Sequence, residues 1–313
     1  MTRNQQILAI IAVVQLVLVA VVFWPRGAGV VEAQPLLADF SAETLTAIII
    51  EDGDGNIAGL ERTDVGWVVS GTDGFSADVG KITTLADDLA LLSTGRVVAE
   101  TASSHARLQV ADGDFNRKIM LTRDGETEIV FIGSQASGSA THMRHSDDDT
   151  VYLTNDLSPF EVNASVNNWI EPTYINHNPE DIQRLRLENV NGIFEFMRDA
   201  EGNWAWADLP AGSELDPSQI NLLASRFATT RMTEPLGKTS QAEYGLSNPQ
   251  ATVQAILADG SEVSLVVGSA NADNQHAVKY SGSDFYVLVA AFTVEPMIGN
   301  SAENFVLTAP LEN

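Results

Sequence analysis

Apolar and polar positions alternate with two different periods along this chain, and the changes of period divide it into elements. Residues 46–52 (TAIIIED) are a β-branched run that predicts a strand. The turn Asp52-Gly53-Asp54-Gly55-Asn56 leads into a second run, IAGLERT, and then into GWVVSG around Trp67. The same order returns later as IQRLRLEN (182–189), a turn at Asn191-Gly192, IFEFMRD, and NWAWAD around Trp204. Each stretch predicts a three-stranded meander with a tryptophan at or next to the start of its third strand. The period then changes to that of a helix. Val79, Ile82, Leu85, Leu89 and Leu92 are spaced three or four apart and form one apolar stripe. In the later stretch Asp216 suits an N-cap and Pro217 the first helical position, with Ile220, Leu223 and Phe227 on the buried face. Both helices run into short segments that carry Arg96 and Arg231 at matched places.

The period of two then resumes. KIMLTRDGETEIVFIGS (118–134) and VQAILADGSEVSLVVGS (253–269) both read as hairpins with Asp-Gly at the tip, where residues that tolerate positive φ are required. The cores of these segments, DGETEIVFIGS and DGSEVSLVVGS, are nearly the same eleven residues, with Gly133-Ser134 and Gly268-Ser269 expected to end the second strand. Shared turn and core positions without shared reactive side chains mark a repeated scaffold rather than a repeated active site. Two more short strands follow in each stretch, HMRHS and TVYLT, then HAVKY and DFYVLV. A helical close is expected over SPFEVNASVNNWI and over VAAFTVEPMIGN. The pattern predicts an α+β chain of two tandem repeats, each a mainly antiparallel twisted sheet with a packed helix. The expected division is a linker over 25–44, unit 1 over 45–170, a linker over 171–181 (EPTYINHNPED) and unit 2 over 182–308.

One segment fits neither period. Ile7 to Trp24 is apolar all round, with Gln15 its single polar member and no charge. At 1.5 Å per residue it spans about 27 Å, against the ~30 Å hydrocarbon core of a bilayer. Phe23 and Trp24 stand at one end, where aromatic rings favour the interface, and Pro25-Arg26 stop it. Residues 1–6 would then be a short cytoplasmic tail, 7–24 a transmembrane signal anchor, and the bulk extracytoplasmic. The alternative is a cleaved signal peptide cut at Val31-Glu32-Ala33, but the run exceeds a usual signal core and that site lies far beyond Trp24.

Composition narrows the chemistry. The chain of 313 residues has no cysteine, which excludes disulfides, thiolate metal sites and a cysteine nucleophile. Its net charge is −25, and the part after Arg26 holds all 42 acidic residues against 15 basic ones. Such a surface repels phosphate backbones, so a nucleic-acid partner is excluded.

Glu243-Tyr244-Gly245-Leu246-Ser247-Asn248-Pro249, followed by a strand, Asp259-Gly260, a second strand and Gly268-Ser269, resembles the family known as domain of unknown function 4340. That family combines an N-terminal membrane segment, a Trp strand before a helix, a YGL-x-x-P element and a DG hairpin. The resemblance covers residues 182–305. Unit 1 matches in the Trp67 strand, the helix and the 124–133 hairpin. It departs at His105–Val110, which keeps Leu108 but lacks the Tyr-Gly and the Pro, so unit 1 reads as a diverged copy. The resemblance implies a membrane-tethered, exported protein that accompanies gliding-type ABC transport systems as an auxiliary component. It carries over no catalytic residue and no cofactor.

The candidate chemistry is sparse. Asp52-Gly53-Asp54-Gly55-Asn56 opens like an EF-hand loop, but Ile57 and Thr63 stand where Gly and Glu are needed, so a plain turn is expected. His142 and His145 with Asp147 form the best metal candidate, although residues three apart on a strand face opposite ways. Trp67 and Trp204 could stack on sugars or pack the core, and Tyr244 could contact a ligand or pack the Gly245-Leu246 turn. No G-x-S-x-G, Walker A or H-E-x-x-H pattern occurs. The function expected is that of a non-catalytic, membrane-anchored accessory or scaffold protein of the bacterial inner membrane, its bulk periplasmic and its partners ABC-type transporter subunits or other envelope proteins. A module binding an envelope polymer or small ligand is the alternative, and a metal-dependent hydrolase a third reading.

Overall fold

The computed structural model describes Gln15 and residues 33–307. The remainder of the expected transmembrane run over 7–24 lies outside the described residues, and no helix among the described residues is long and apolar enough to cross a membrane. Every strand pairing described is antiparallel, in an α+β arrangement of two large sheets.

The first sheet begins with β1 (Leu45–Asp52), β2 (Ile57–Thr63), β3 (Gly66–Val69) and β4 (Phe75–Ser76). Helix α1 (Val79–Leu91) follows, then β5 (Val97–Ala99) and the single turn α2 (His105–Leu108). A small hairpin, β6 (Val110–Ala111) and β7 (Asp114–Phe115), precedes β8 (Arg117–Arg123), β9 (Glu126–Gln135), β10 (Thr141–His145) and β11 (Val151–Thr154). The second sheet begins with β12 (Ile182–Asn189), β13 (Gly192–Arg198) and β14 (Trp204–Trp206). It continues through α3 (Pro217–Ala228), β15 (Glu234–Gly237), β16 (Ala251–Leu257), β17 (Glu262–Ala270), β18 (Gln275–Tyr280), β19 (Tyr286–Ala290) and α4 (Ala291–Gly299). The first sheet has the order β4-β3-β2-β1-β8-β9-β10-β11-β5, and the second β14-β13-β12-β16-β17-β18-β19-β15. Apart from the two-residue edge strand β4, the two orders match strand for strand.

The hydrogen bonds match as well. Asp78 caps α1 by accepting from the Lys81 N–H, and its own N–H donates to the Trp169 carbonyl. Asp216 caps α3 by accepting from the Ser218 N–H, and its N–H donates to Phe305. Each chain segment thus returns to the start of its own helix. At the other helix end, Leu36 donates to Leu92 and Thr94 to Gln34, as Tyr174 donates to Thr230 and Met232 to Pro172. Residues 172–177 therefore lie hydrogen-bonded along the end of α3, with Tyr174 and Ile175 buried. In this frame Arg231 occupies the place of Ser93, so Arg96 and Arg231 are not counterparts.

Helices α1 and α3 each bury one face on the inner side of their sheet, through Ile82, Leu85, Ala86 and Leu89, and through Ile220, Leu223, Ala224 and Phe227. The inward residues of the central strands meet them, among them Ile48 and Ile50 in β1 and Leu185 and Leu187 in β12, all fully buried. One apolar core runs through both sheets. Phe75 packs edge-to-face on Phe285 at 4.8 Å, and the Tyr174 hydroxyl donates to the Phe285 carbonyl at 2.6 Å.

Two local expectations are corrected. The helical close of the second stretch exists as α4, but SPFEVNASVNNWI folds as turns and a 3-10 turn over Val166–Asn168. There the Glu161 carboxylate accepts from both the N–H and the hydroxyl of Ser158, a capping contact that is not followed by a longer helix. Gly133 and Gly268 lie inside β9 and β17 rather than at their ends. A Cβ on Gly133 would run into the Leu108 carbonyl, and a Cβ on Gly268 into that of Tyr244, because a turn of backbone crosses the outer side of each sheet there.

Candidate functional site: the outer face of the first sheet

The crossing turn fixes how the outer faces compare. Gln109 ends α2 with φ 58°, and Gly245 ends the 3-10 turn Ala242–Tyr244 with φ 67°. Each donates its N–H to the residue three back, Ala106 or Ala242. Leu108 thus occupies the place of Tyr244, and Val110 that of Leu246. Pairing Leu108 with Leu246, as the shared leucine suggests, is two residues out of step. Leu108 and Val110 pack on Phe131 and Val151 in a small outer cluster, and Tyr244 packs with Ala277 and Leu288 in another.

Beside these clusters the outer faces diverge. Across the first sheet Gly59 faces Ile49, Ile49 faces Met120, and Met120 faces Ile129. The register-matched row of the second sheet is Glu195, Arg186, Gln254 and Ser264. In that row the Arg186 guanidinium lies 3.2 Å from Glu195 and 2.9 Å from Glu188, and it donates to the Gln254 carbonyl oxygen at 3.2 Å. Arg184 reaches Glu195 at 2.9 Å. In this row the second sheet presents a satisfied ionic lattice and the first an apolar set, with Ile49 partly exposed, Met120 half-buried and Ile129 half-buried against the Leu108–Phe131 cluster. Ile49 is 37% exposed, whereas in the next row both sheets expose an isoleucine, Ile57 at 55% and its register counterpart Ile193 at 53%. The sequence carries a signal for this in Ile48-Ile49-Ile50 and Ile119-Met120-Leu121. Unbroken apolar runs belong to strands covered on both faces, whereas a sheet with one wet face alternates.

Further along β1 from this row, at the Glu51–Lys118 pair, an open cleft of about 610 Å³ begins between the β1–β2 turn and the β6–β7 hairpin. Its carboxylates are Glu51, Asp52, Asp54, Asp112 and Asp114, with Arg117 the cation in its lining. Glu51 pairs with Lys118 at 3.3 Å and Asp112 with Arg144 at 2.6 Å. Asp52 accepts N–H groups from Asp54 and Asn56 and the Asn56 side-chain amide. Slight burial pushes its carboxyl up, but these hydrogen bonds and the charge of Arg117 outweigh that and hold it below its ordinary 3.8. This turn commits its lead carboxylate to backbone donors, as a hairpin does.

The residues singled out by sequence lie elsewhere and are not brought together. His142 is buried in β10 with Nδ1 2.7 Å from the Ser134 carbonyl, to which it donates. His145 accepts the Asp147 N–H at Nδ1, 3.3 Å away. The two rings sit three positions apart on one strand and so project to opposite sides, and Asp147 is exposed on the following turn. Among the described residues no three His, Asp or Glu are grouped as metal ligands would be. Trp67 and Trp204 take the same register position, opposite Arg62 and Arg198. Trp204 is buried, donates its indole N–H to Asn221 at 2.8 Å and carries the Arg198 guanidinium over its ring at 4.2 Å, so no face is open to a sugar. Trp67 is half-buried against the main core. Tyr244 is buried, with its hydroxyl donating to Leu236 at 3.2 Å, and burial followed by the charge of Glu243 pushes its phenol up.

The 145–150 turn next to this face is held by Asp148. Burial pushes its carboxyl up, but the Thr150 N–H and hydroxyl and the Tyr152 hydroxyl outweigh it and bring it below 3.8. The Tyr152 hydroxyl donates at 2.9 Å. A depressed carboxylate stabilises the fold above its unfolded value, and that contribution fades as pH falls through the folded value. Tyr152→Phe is therefore expected to cost about 1 kcal/mol at pH 7. The gap to the parent should close as pH falls below 3.8, measured by urea unfolding across that range.

Comparison with protein-family models matches residues 67–249 to the family described as Domain of unknown function (DUF4340). The match begins at Trp67 in β3 and ends at Pro249 just before β16, so it takes in parts of both sheets rather than one of them. Searches of curated proteins and of solved structures give no match. The family match spans more than half of the sequence, and on that ground the chain belongs to the Domain of unknown function (DUF4340) family.

Proposed function

We propose that this protein is a membrane-anchored, extracytoplasmic and non-catalytic accessory subunit of an ABC-type transport system in a bacterial inner membrane. The two sheets are read as copies of one duplicated scaffold that differ in one outer row, ion-paired in the second sheet and apolar in the first, where it is adapted for contact. The observation that carries this is the apolar row Ile49–Met120–Ile129 on the outer face of the first sheet, where the second sheet has Arg186, Gln254 and Ser264. A partly exposed apolar row in place of an ion-paired one costs solubility and is kept where a partner covers it. The Ile7–Trp24 run supports a membrane tether, and the auxiliary role follows the resemblance to the family's transport-associated members.

The test is co-purification from membranes in mild detergent. The double variant Ile49→Glu, Met120→Glu is expected to lose transporter subunits by at least about 10-fold relative to the parent while keeping its tryptophan fluorescence, as for a buried contact centre. Arg186→Ala, on the other sheet, should retain them. Equal recovery with both variants would sink the reading.

A further inference from the structure

The acidic cleft beside the apolar row says what kind of segment would fit this face. We infer that the partner element seated on this face is an amphipathic helix with a basic end, its apolar side on Ile57, Ile49 and Met120 and its Lys or Arg residues over Asp54 and Asp114. This rests on the reading of the face as a partner surface and adds the chemistry of what binds. Three observations carry it. The floor is apolar and laid out in register on β1, β2 and β8, so it accepts one further layer as the inner face accepts α1. The cleft beside the floor, reached across the Glu51–Lys118 pair, is lined by five carboxylates and one guanidinium. Two of those carboxylates are neutralised by Lys118 and Arg144, while Asp54 and Asp114 have no ion pair among the described residues. The β6–β7 hairpin, which has no counterpart in the second sheet, walls this side and brings Asp112 and Asp114 to the rim.

Competing occupants are disfavoured by charge. A second copy of the chain would bring another net charge of −25 against the same acidic rim, and an anionic lipid surface would be repelled likewise. A basic segment is attracted by the field that excludes both.

The experiment uses the full chain in neutral detergent and two labelled helical peptides of about 14 residues, with leucines at three- and four-residue spacing and either lysines or glutamates in the last turn. Fluorescence anisotropy is expected to show the lysine peptide binding at least about 10-fold tighter than the glutamate peptide, with the preference shrinking between about 50 mM and 500 mM NaCl. Asp54→Lys, Asp114→Lys, both at exposed positions, should abolish the preference, and Ile49→Glu should abolish binding of the lysine peptide. Equal binding of both peptides, a preference untouched by the charge reversal, or self-association of the chain that Ile49→Glu removes would each overturn the inference. The accessory reading fails separately: peptide discrimination with no co-purified transporter leaves this inference standing and removes that one. Co-purification that ignores both salt and Asp54→Lys, Asp114→Lys does the reverse.

Discussion

Replacing Gly268 by Ala is expected to destabilise the fold by about 3 kcal/mol, the upper end of what overpacking costs. The added methyl would overlap the Tyr244 carbonyl, a backbone atom that a rotamer change cannot move. To make room, the 3-10 turn Ala242–Tyr244 must lift from β17, and with it the buried Tyr244 and its hydrogen bond to Leu236. Gly133→Ala should behave alike, since its methyl would meet the Leu108 carbonyl and the Val110 side chain. The hairpin-tip glycines of the same repeated segment give the contrast. Gly125 and Gly260 adopt φ 83° and 84°, and no atom stands within 4 Å of where an alanine methyl would sit, so alanine there meets only backbone strain. A cost of about 1 kcal/mol is expected at the tips. Urea unfolding followed by tryptophan fluorescence separates the two classes, and equal costs at tip and strand would refute the close-approach account.

The second large effect is expected at Arg144. Its side chain is 3% exposed, yet its ion-pair partner Asp112 is 84% exposed. The pair alone therefore explains little, because a carboxylate in water is content without it. What holds the guanidinium inside is a set of backbone acceptors. Nε donates to Val110 at 2.8 Å, and Nη1 to Ser146 at 3.1 Å and Asp148 at 3.3 Å. The plane also lies over the Phe131 ring at 4.6 Å. One side chain thus ties the β6–β7 hairpin to the turn after β10. Arg144→Met keeps much of the volume but strands these carbonyls, at an expected cost of about 3 kcal/mol. Asp112→Asn should cost well under 1 kcal/mol. Amide hydrogen exchange on the full chain should show faster exchange in 110–116 and 145–150 for Arg144→Met only. Equal losses in the two variants would mean the ion pair, not the carbonyl set, is the fastener. Loosening this hairpin would also disturb the acidic rim it supplies to the outer face.

Single residues show how far local pattern reaches in this chain. The helix faces around Ile82 and Ile220, the caps Asp78 and Asp216 and the Asp-Gly turns all depend on neighbours within a few positions, and local pattern reads them well. Trp67 and Trp204 read as one matched position, and the structure gives them the same register. The pairing of Leu108 with Leu246 fails because a shared leucine says less than backbone shape. Gln109 takes the left-handed conformation without being glycine, and nothing local announces that. The candidate face is legible in part. Ile48-Ile49-Ile50 breaks the alternation expected of a half-wet sheet, but its meaning needs the counterpart Arg186 and the neighbour Met120.

Which stretches are strands and helices, where the tight turns fall and which side of each element is apolar can all be read from the amino acids in order. These properties follow from periods of 2 and 3.6 residues and from the φ tolerance of Asp-Gly. The backbone that crosses Gly133 and Gly268, the role of Arg144 as a fastener, and the apolar character of one row in one of two matched outer faces emerge only from the folded arrangement. Those facts are set by atoms far apart in the chain, brought within contact distance by sheet register, and no local period encodes them.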